Sequence, residues 1–223
     1  MRATRFCSSC GKVQPPMPTD YFTFFGLPRK LNIDESRLQT DFYGLSRKLH
    51  PDVYAQATGR EQNWSLETTS LLNDAFRTLK DPIARTEYLL KMEGVHTEEQ
   101  SKSATDAARE TGVQKKQIVP PDLLEEVFEL NMQLEEARMN KKMGEEDESL
   151  LRDLQHTKKT LEDKFQELLD ELKQHWDVWD ALITRGLIGE TDRKTVLGNM
   201  VDVLNRRSYI RNLVRDVNEV LEG

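Results

Sequence analysis

Apolar residues recur along this chain with helical spacing. Leu38, Phe42, Leu45 and Leu49 are separated by 4, 3 and 4 positions and fall within about 60° on a helical wheel, which predicts an amphipathic helix. Asp34 is its expected N-cap, and Pro51 ends it by forcing His50 out of the α region. A short helix precedes it: Tyr21, Phe22, Phe24, Phe25 and Leu27 form an apolar knot that Gly26 and Pro28 close. After a loop over 52–60 ending at Gly59, a further helix carries Leu72, Ala75, Phe76 and Leu79. Asp81-Pro82 reads as an N-cap with proline at the first helical position. It opens a short helix with Ile83, Ala84, Tyr88, Leu89 and Leu90, closed by Gly94.

Residues 97–118 are polar and read as a linker. Three long helical patterns follow. Pro120-Pro121-Asp122 opens the first, which runs to about Lys142 and is broken by Gly144. The second runs from about Ser149 to Trp179, with Leu151, Leu154, Leu161, Phe165, Leu172 and Trp176 as apolar positions. Gly186 and Gly189 mark the next turn. The last, about Thr191 to Leu221, carries Val196, Met200, Val203, Ile210, Val214, Val217 and Leu221. Long helices with short connections predict a bundle. No alternating strand pattern or internal repeat occurs, so the expected class is all-α.

Composition narrows the class. The hydrophobic share is 37%, sufficient for a core, and aromatic residues at 7% are lean for a β-sandwich. No run of 18 apolar residues predicts a membrane span. The first residues are too few and too polar for a signal peptide. Residues 1–96 hold 13 Lys+Arg against 11 Asp+Glu, and residues 97–223 hold 19 against 28. A net of −9 on the C-terminal part argues against nucleic acid as its partner.

Cys7 and Cys10 are the two cysteines, in Cys7-Ser8-Ser9-Cys10-Gly11. Two cysteines exclude a disulfide framework and fit a reducing compartment. The pair looks like half of a metal knuckle, since tetrahedral Zn²⁺ takes four ligands. An unmetallated pair and zinc shared between two chains of a homodimer both remain open. The βα context of a redox enzyme is missing.

His50-Pro51-Asp52 stands between two amphipathic helices. With "DYFTFFGLP" (Asp20 to Pro28), "LHPDVYA" (Leu49 to Ala55) and "LNDAFRTLKDPIARTEYLL" (Leu72 to Leu90), the N-terminal part resembles a J-domain. Within that family it is similar to the HscB or Jac-type co-chaperones of iron–sulfur cluster assembly. The resemblance covers about residues 19–223, strongly in the J-domain and more weakly in the bundle.

The resemblance implies a Cys-containing tail (1–18), a J-domain helical hairpin (19–96), a linker (97–118) and a three-helix bundle (119–223). It implies a non-enzymatic role: stimulating the ATPase of an HscA/DnaK-type chaperone and delivering the scaffold protein IscU to it. A generic J-protein with another client is the alternative. His50, Pro51 and Asp52 would be the stimulating residues, beside a basic face formed by Arg37, Arg47 and Lys48. Those three lie roughly 100–180° from the apolar stripe and so face solvent, with Asp41 on the same side. Bacterial cytoplasm is the expected location, and the mitochondrial matrix the alternative.

The first bundle helix carries two stripes. Leu123, Val127, Leu130, Leu134 and Ala137 are the expected core side. Leu124, Phe128, Met132 and Met139 lie about 140° away. A bundle helix needs one wide stripe, so the second meets the J-domain or a partner. The resemblance implies a scaffold-binding surface on Leu124, Phe128, Glu129, Met132 and Glu136, with Tyr209 on the last helix. Animal members of the family carry two CxxC pairs; this chain has one.

Overall fold

The computed structural model describes residues 5–7, 9–97, 123–144, 147–186 and 189–222. Regular structure among them is helical: α1 (Tyr21–Phe25), α2 (Glu35–Leu49), a 3₁₀ turn (Pro51–Tyr54), α3 (Gly59–Lys80), α4 (Pro82–Met92), α5 (Leu124–Met143), α6 (Glu148–Arg185) and α7 (Glu190–Glu222). A single antiparallel bridge, Phe6 with Val13, is the only β pairing among the described residues. The all-α expectation holds.

The chain divides into two compact units. One comprises Met1–Gly94 with Trp176–Arg193, and the other Val95–His175 with Lys194–Gly223. The end of α6 and the start of α7 therefore belong with the N-terminal unit, whereas the sequence pattern put all of 119–223 in the bundle. The linker at 97–118 lies outside the described residues except for Thr97, as do Pro120, Pro121 and Asp122.

In the first unit, capping residues set the helix ends. Asp20 accepts the Thr23 N–H at 2.9 Å, and Gly26 closes α1 at φ +65°, a left-handed conformation that costs glycine least. Asp34 accepts from Arg37 N and Asp81 from Ala84 N, as expected. The stripe of α2 meets α3. Leu38 and Leu49 are buried, and the Phe42 ring stacks on Phe76 at 4.0 Å between centroids. Phe22, Leu31, Leu72, Leu79, Leu89 and Leu90 complete this core.

The last turns of α6 clamp the segment between α1 and α2. Asp180 accepts the backbone N–H groups of Leu31 (2.8 Å) and Asn32 (2.9 Å). Trp179 donates its indole N–H to the Arg29 carbonyl, and Trp176 donates to Thr86 Oγ1 at 2.9 Å. Arg85 is buried, donates to the Leu79 carbonyl, pairs with Glu35 at 3.6 Å and lies over the Trp176 ring. Burial lowers the pKa of its guanidinium, and Glu35 opposes that effect. These contacts extend α6 to Arg185, past the expected stop at Trp179.

The N-terminal segment is not a free tail. Val13 is buried, Arg5 lies 4.1 Å over the Phe24 ring, and Lys12 pairs with Glu61 at 3.2 Å.

In the second unit, the core side of α5 is the predicted one: Leu123, Val127, Leu130, Leu134 and Ala137 are all buried. Leu154, Leu161, Leu168 and Leu172 of α6 and Met200, Val203, Ile210 and Val217 of α7 are buried as well. Arg207 stacks 3.8 Å over Phe165, and Arg206 pairs with Glu171. Gly144, at φ +73°, caps α5 and donates its N–H to the Lys141 carbonyl.

Candidate functional site

The local chain chemistry sets His50-Pro51-Asp52 in one position. Helix α2 must stop before proline, and His50 is extended at φ −55°, ψ 133°. The terminal carbonyl of a helix has no intrahelical donor. Two hydroxyls of α3 supply donors to Leu49: Ser65 Oγ at 2.6 Å and Thr69 Oγ1 at 2.9 Å. Tyr54 reaches back to donate to the Lys48 carbonyl at 3.2 Å. Gln62 Nε2 donates to the carbonyls of Ala55 and Ala57, both at 3.1 Å. The loop is tied at its start, in its middle and at its exit.

On this frame the reactive edges stay in solvent. His50 Nδ1 accepts the Asp52 backbone N–H at 3.3 Å, capping the 3₁₀ turn. In that arrangement the neutral ring carries its proton on Nε2. The Asp52 carboxylate lies 3.4 Å from Nδ1, and that contact is an ion pair only when the ring is protonated. The Asp52 side chain is 89% exposed. The tripeptide thus presents one N–H donor and one carboxylate acceptor, with no nucleophile among its own residues.

Arg47 and Lys48 are exposed in the last turn of α2, where positive charge complements the helix dipole. Arg37 is exposed too, but its Nε lies 3.8 Å from Asp41. The expected basic face is therefore strongest at Arg47 and Lys48, beside the tripeptide.

In the second unit, Leu124, Phe128, Met132 and Met139 stand between 55% and 66% exposed, on the same helix whose other stripe is buried. Met143 extends the row, and sequence reasoning missed it because it falls in the last turn, past the expected helix end. Glu129 and Glu136 are exposed. Tyr209 on α7 is half-buried, and burial raises its hydroxyl pKa. Beside Glu129, a cleft of about 190 Å³ opens between α5, α6 and α7, lined by Leu123, Val127, Leu130, Leu161 and Leu213.

Cys7 and Cys10 sit in a tight turn. Cys7 donates to the Lys12 carbonyl at 2.8 Å, and Gly11 donates to the Cys7 carbonyl at 2.9 Å. Both thiols are free. Two sulfurs do not fill a tetrahedral zinc site, and no group of three His, Cys, Asp or Glu able to hold a metal occurs among the described residues. Among the described residues, Cys7 and Cys10 have no third and fourth ligand grouped with them. No helix among the described residues is long and apolar enough to cross a membrane.

A J-type loop between antiparallel helices, joined in one chain to a second helical unit, defines a two-part J-domain co-chaperone fold. The crystal structure of human co-chaperone protein HscB superposes with a TM-score of 0.64 at 24% identity, covering 97% of this chain and 89% of that one. The iron-sulfur cluster co-chaperone protein HscB of Mus musculus is 34% identical over 141 residues, 63% of this chain and 54% of that protein. The co-chaperone protein HscB homolog of Azoarcus sp. strain BH72 is 34% identical over 139 residues, 62% of this chain and 71% of that protein. The chain belongs to the HscB co-chaperone family. The matched stretch spans about half the length of the mouse relative. No family model matches the chain.

Proposed function

We propose that this chain stimulates ATP hydrolysis by an HscA/DnaK-type chaperone and brings to it an IscU-type iron–sulfur scaffold protein, in support of iron–sulfur cluster assembly. The observation that carries the reading is the exposed His50-Pro51-Asp52 turn, held on the Leu49 anchor by Ser65 and Thr69. A loop tied this closely loses little conformational entropy when a partner engages it.

The roles divide by chemistry. Pro51 fixes the turn. The Nε2–H of His50 donates, and the Asp52 carboxylate accepts, toward polar groups of the chaperone's ATPase domain. Arg47 and Lys48, with Arg37 contributing less because Asp41 faces it, steer an acidic surface toward the loop. The ATP chemistry belongs to the partner.

The exposed row on α5 supports the second half of the reading. Leu124, Phe128 and Met132 would be the apolar anchors of the scaffold contact, flanked by Glu129 and Glu136, with Tyr209 at its edge. Flexible, polarisable Met side chains suit an adaptable docking surface. A generic J-protein with another client would need no such dedicated row. Under this reading the compartment is the bacterial cytoplasm, with the mitochondrial matrix as the alternative.

The test is ATPase turnover of an HscA-type chaperone with this protein, with IscU, and with both. Stimulation by the protein alone and a further rise with IscU is the expected result. Stimulation without any response to IscU would favour the other-client reading.

A further inference from the structure

Methionine is concentrated on one face of α5. Past Phe128, every large apolar side chain exposed on that helix is a thioether: Met132, Met139 and Met143. The three fall within about 40° on the helical wheel and stand 58%, 60% and 65% exposed. Three of the chain's seven methionines thus share one short stretch of one helix. Met200, on α7 of the same unit, is fully buried. Met139 and Met143 have no part in the docking surface proposed above.

We propose that Met132, Met139 and Met143 form a reversible sulfoxidation site for hydrogen peroxide, and that its oxidation releases the scaffold protein from α5. The release rests on the docking reading above; the site itself does not. An oxidant must reach the sulfur lone pair, and these three side chains stand open to it, whereas Met200 is enclosed. Exposed Glu129, Glu135 and Glu136 lie on the same helix. Their charge repels anionic oxidants and leaves neutral peroxide free to approach.

At each site the sulfur lone pair attacks one peroxide oxygen, and the oxygen–oxygen bond breaks. One oxygen stays on sulfur, the other leaves as water, and the sulfur loses two electrons. A methionine sulfoxide reductase with a dithiol reverses the step: the oxygen leaves as water and the dithiol closes to a disulfide. The modified side chain exchanges a soft apolar sulfur for a strongly dipolar S=O acceptor. A partner surface that fits the apolar row must then bury that acceptor without a donor. The buried stripe of α5, Leu123, Val127, Leu130, Leu134 and Ala137, contains no sulfur, so the helix keeps its core packing.

Peptide mass spectrometry of the full chain over a peroxide time course, quenched with catalase, reads the site. Met132, Met139 and Met143 should each gain one oxygen at least about tenfold faster than Met200, with helical circular dichroism unchanged. Calorimetric titration should then show IscU affinity at least about tenfold weaker, and reductase treatment should restore it. In the combined variant Met132→Leu, Met139→Leu, Met143→Leu, peroxide should leave IscU affinity at that variant's own starting value. Oxidation of Met200 as fast as the row would overturn the site. Full sulfoxide formation with IscU affinity unchanged, or an equal loss in the leucine variant, would overturn the release. An untreated parent that does not bind IscU would overturn the docking reading and the release with it, while the oxygen-uptake rates would still decide the site.

Discussion

Ser65 Oγ donates a 2.6 Å hydrogen bond to the carbonyl of Leu49, the last residue of α2 and the one before His50. Thr69 Oγ1 donates to the same oxygen from one turn further along α3. A helix-end carbonyl that needs donors receives two from a neighbouring helix, and the exposed tripeptide inherits its position from them.

Replacing both hydroxyls, Ser65→Ala with Thr69→Val, should leave a buried carbonyl without a partner. The expected cost is about 1–3 kcal/mol in denaturant unfolding. Amide exchange should quicken selectively over residues 51–57 while α4 stays protected. Uniform acceleration across the unit would mean that the hydroxyls serve global stability and not the loop.

Much of this arrangement is legible in the sequence, and the remainder fails for physical reasons. The α2 stripe and the two stripes of α5 follow from helical period, and the Asp34 and Asp81 caps from residue type at a helix start. Ser65 and Thr69 carry no such signal: small hydroxyl residues on a helix read as solvent-facing until a neighbouring helix end is placed beside them. Arg85 breaks the usual rule that charge stays outside, because Glu35, the Leu79 carbonyl and the Trp176 ring enclose it. The Thr58-x-x-Glu61 capping box has the spacing of a helix start in the sequence, and the structure forms both of its hydrogen bonds. The grouping of Trp176–Arg193 with the N-terminal residues depends on long-range hydrogen bonds that no local pattern encodes.

Asp180→Ala should strip two backbone donors of their acceptor, the Leu31 N–H in a fully buried residue. Hydrogen bonds to a charged acceptor are each worth about 1.5–3 kcal/mol, and solvent near Asn32 moderates its share. A loss of about 3 kcal/mol is expected by chemical denaturation. Asp180→Asn, which keeps one acceptor oxygen, should recover part of it.

Glu61 gives the first unit an acid-sensitive element. The Thr58 hydroxyl and N–H, and the Lys12 ammonium, hold its carboxyl below the usual carboxylate range. A depressed folded-state pKa stabilises the fold above the unfolded value of about 4.3. That contribution is lost as pH falls through the lowered folded value. Glu61→Gln should therefore melt below the parent at about pH 7, with the gap closing on acidification. A gap that persists in acid would assign the effect to packing.

The two faces of α5 should separate stability from docking. Leu130→Ala, on the buried side, should cost about 2–5 kcal/mol as a core truncation. Phe128→Ala, on the exposed side, should change stability by less than about 1 kcal/mol. Truncating Leu124, Phe128 and Met132 together should weaken IscU binding at least about tenfold, since burying one such side chain contributes roughly 1.5–3 kcal/mol. Calorimetric titration and thermal melts measure both quantities. A large fall in melting temperature with IscU affinity intact would move the docking surface elsewhere.

The central claim is that the tripeptide activates a partner and is not needed for the fold. His50→Gln removes the ring that stands exposed at the end of α2 and leaves the Leu49 anchor in place. The direct measurement is steady-state ATP hydrolysis by an HscA-type chaperone, with the variant compared to the parent at equal concentration. The account predicts loss of stimulation with helical circular dichroism and melting temperature nearly unchanged. A folded His50→Gln protein that stimulates as well as the parent would contradict it.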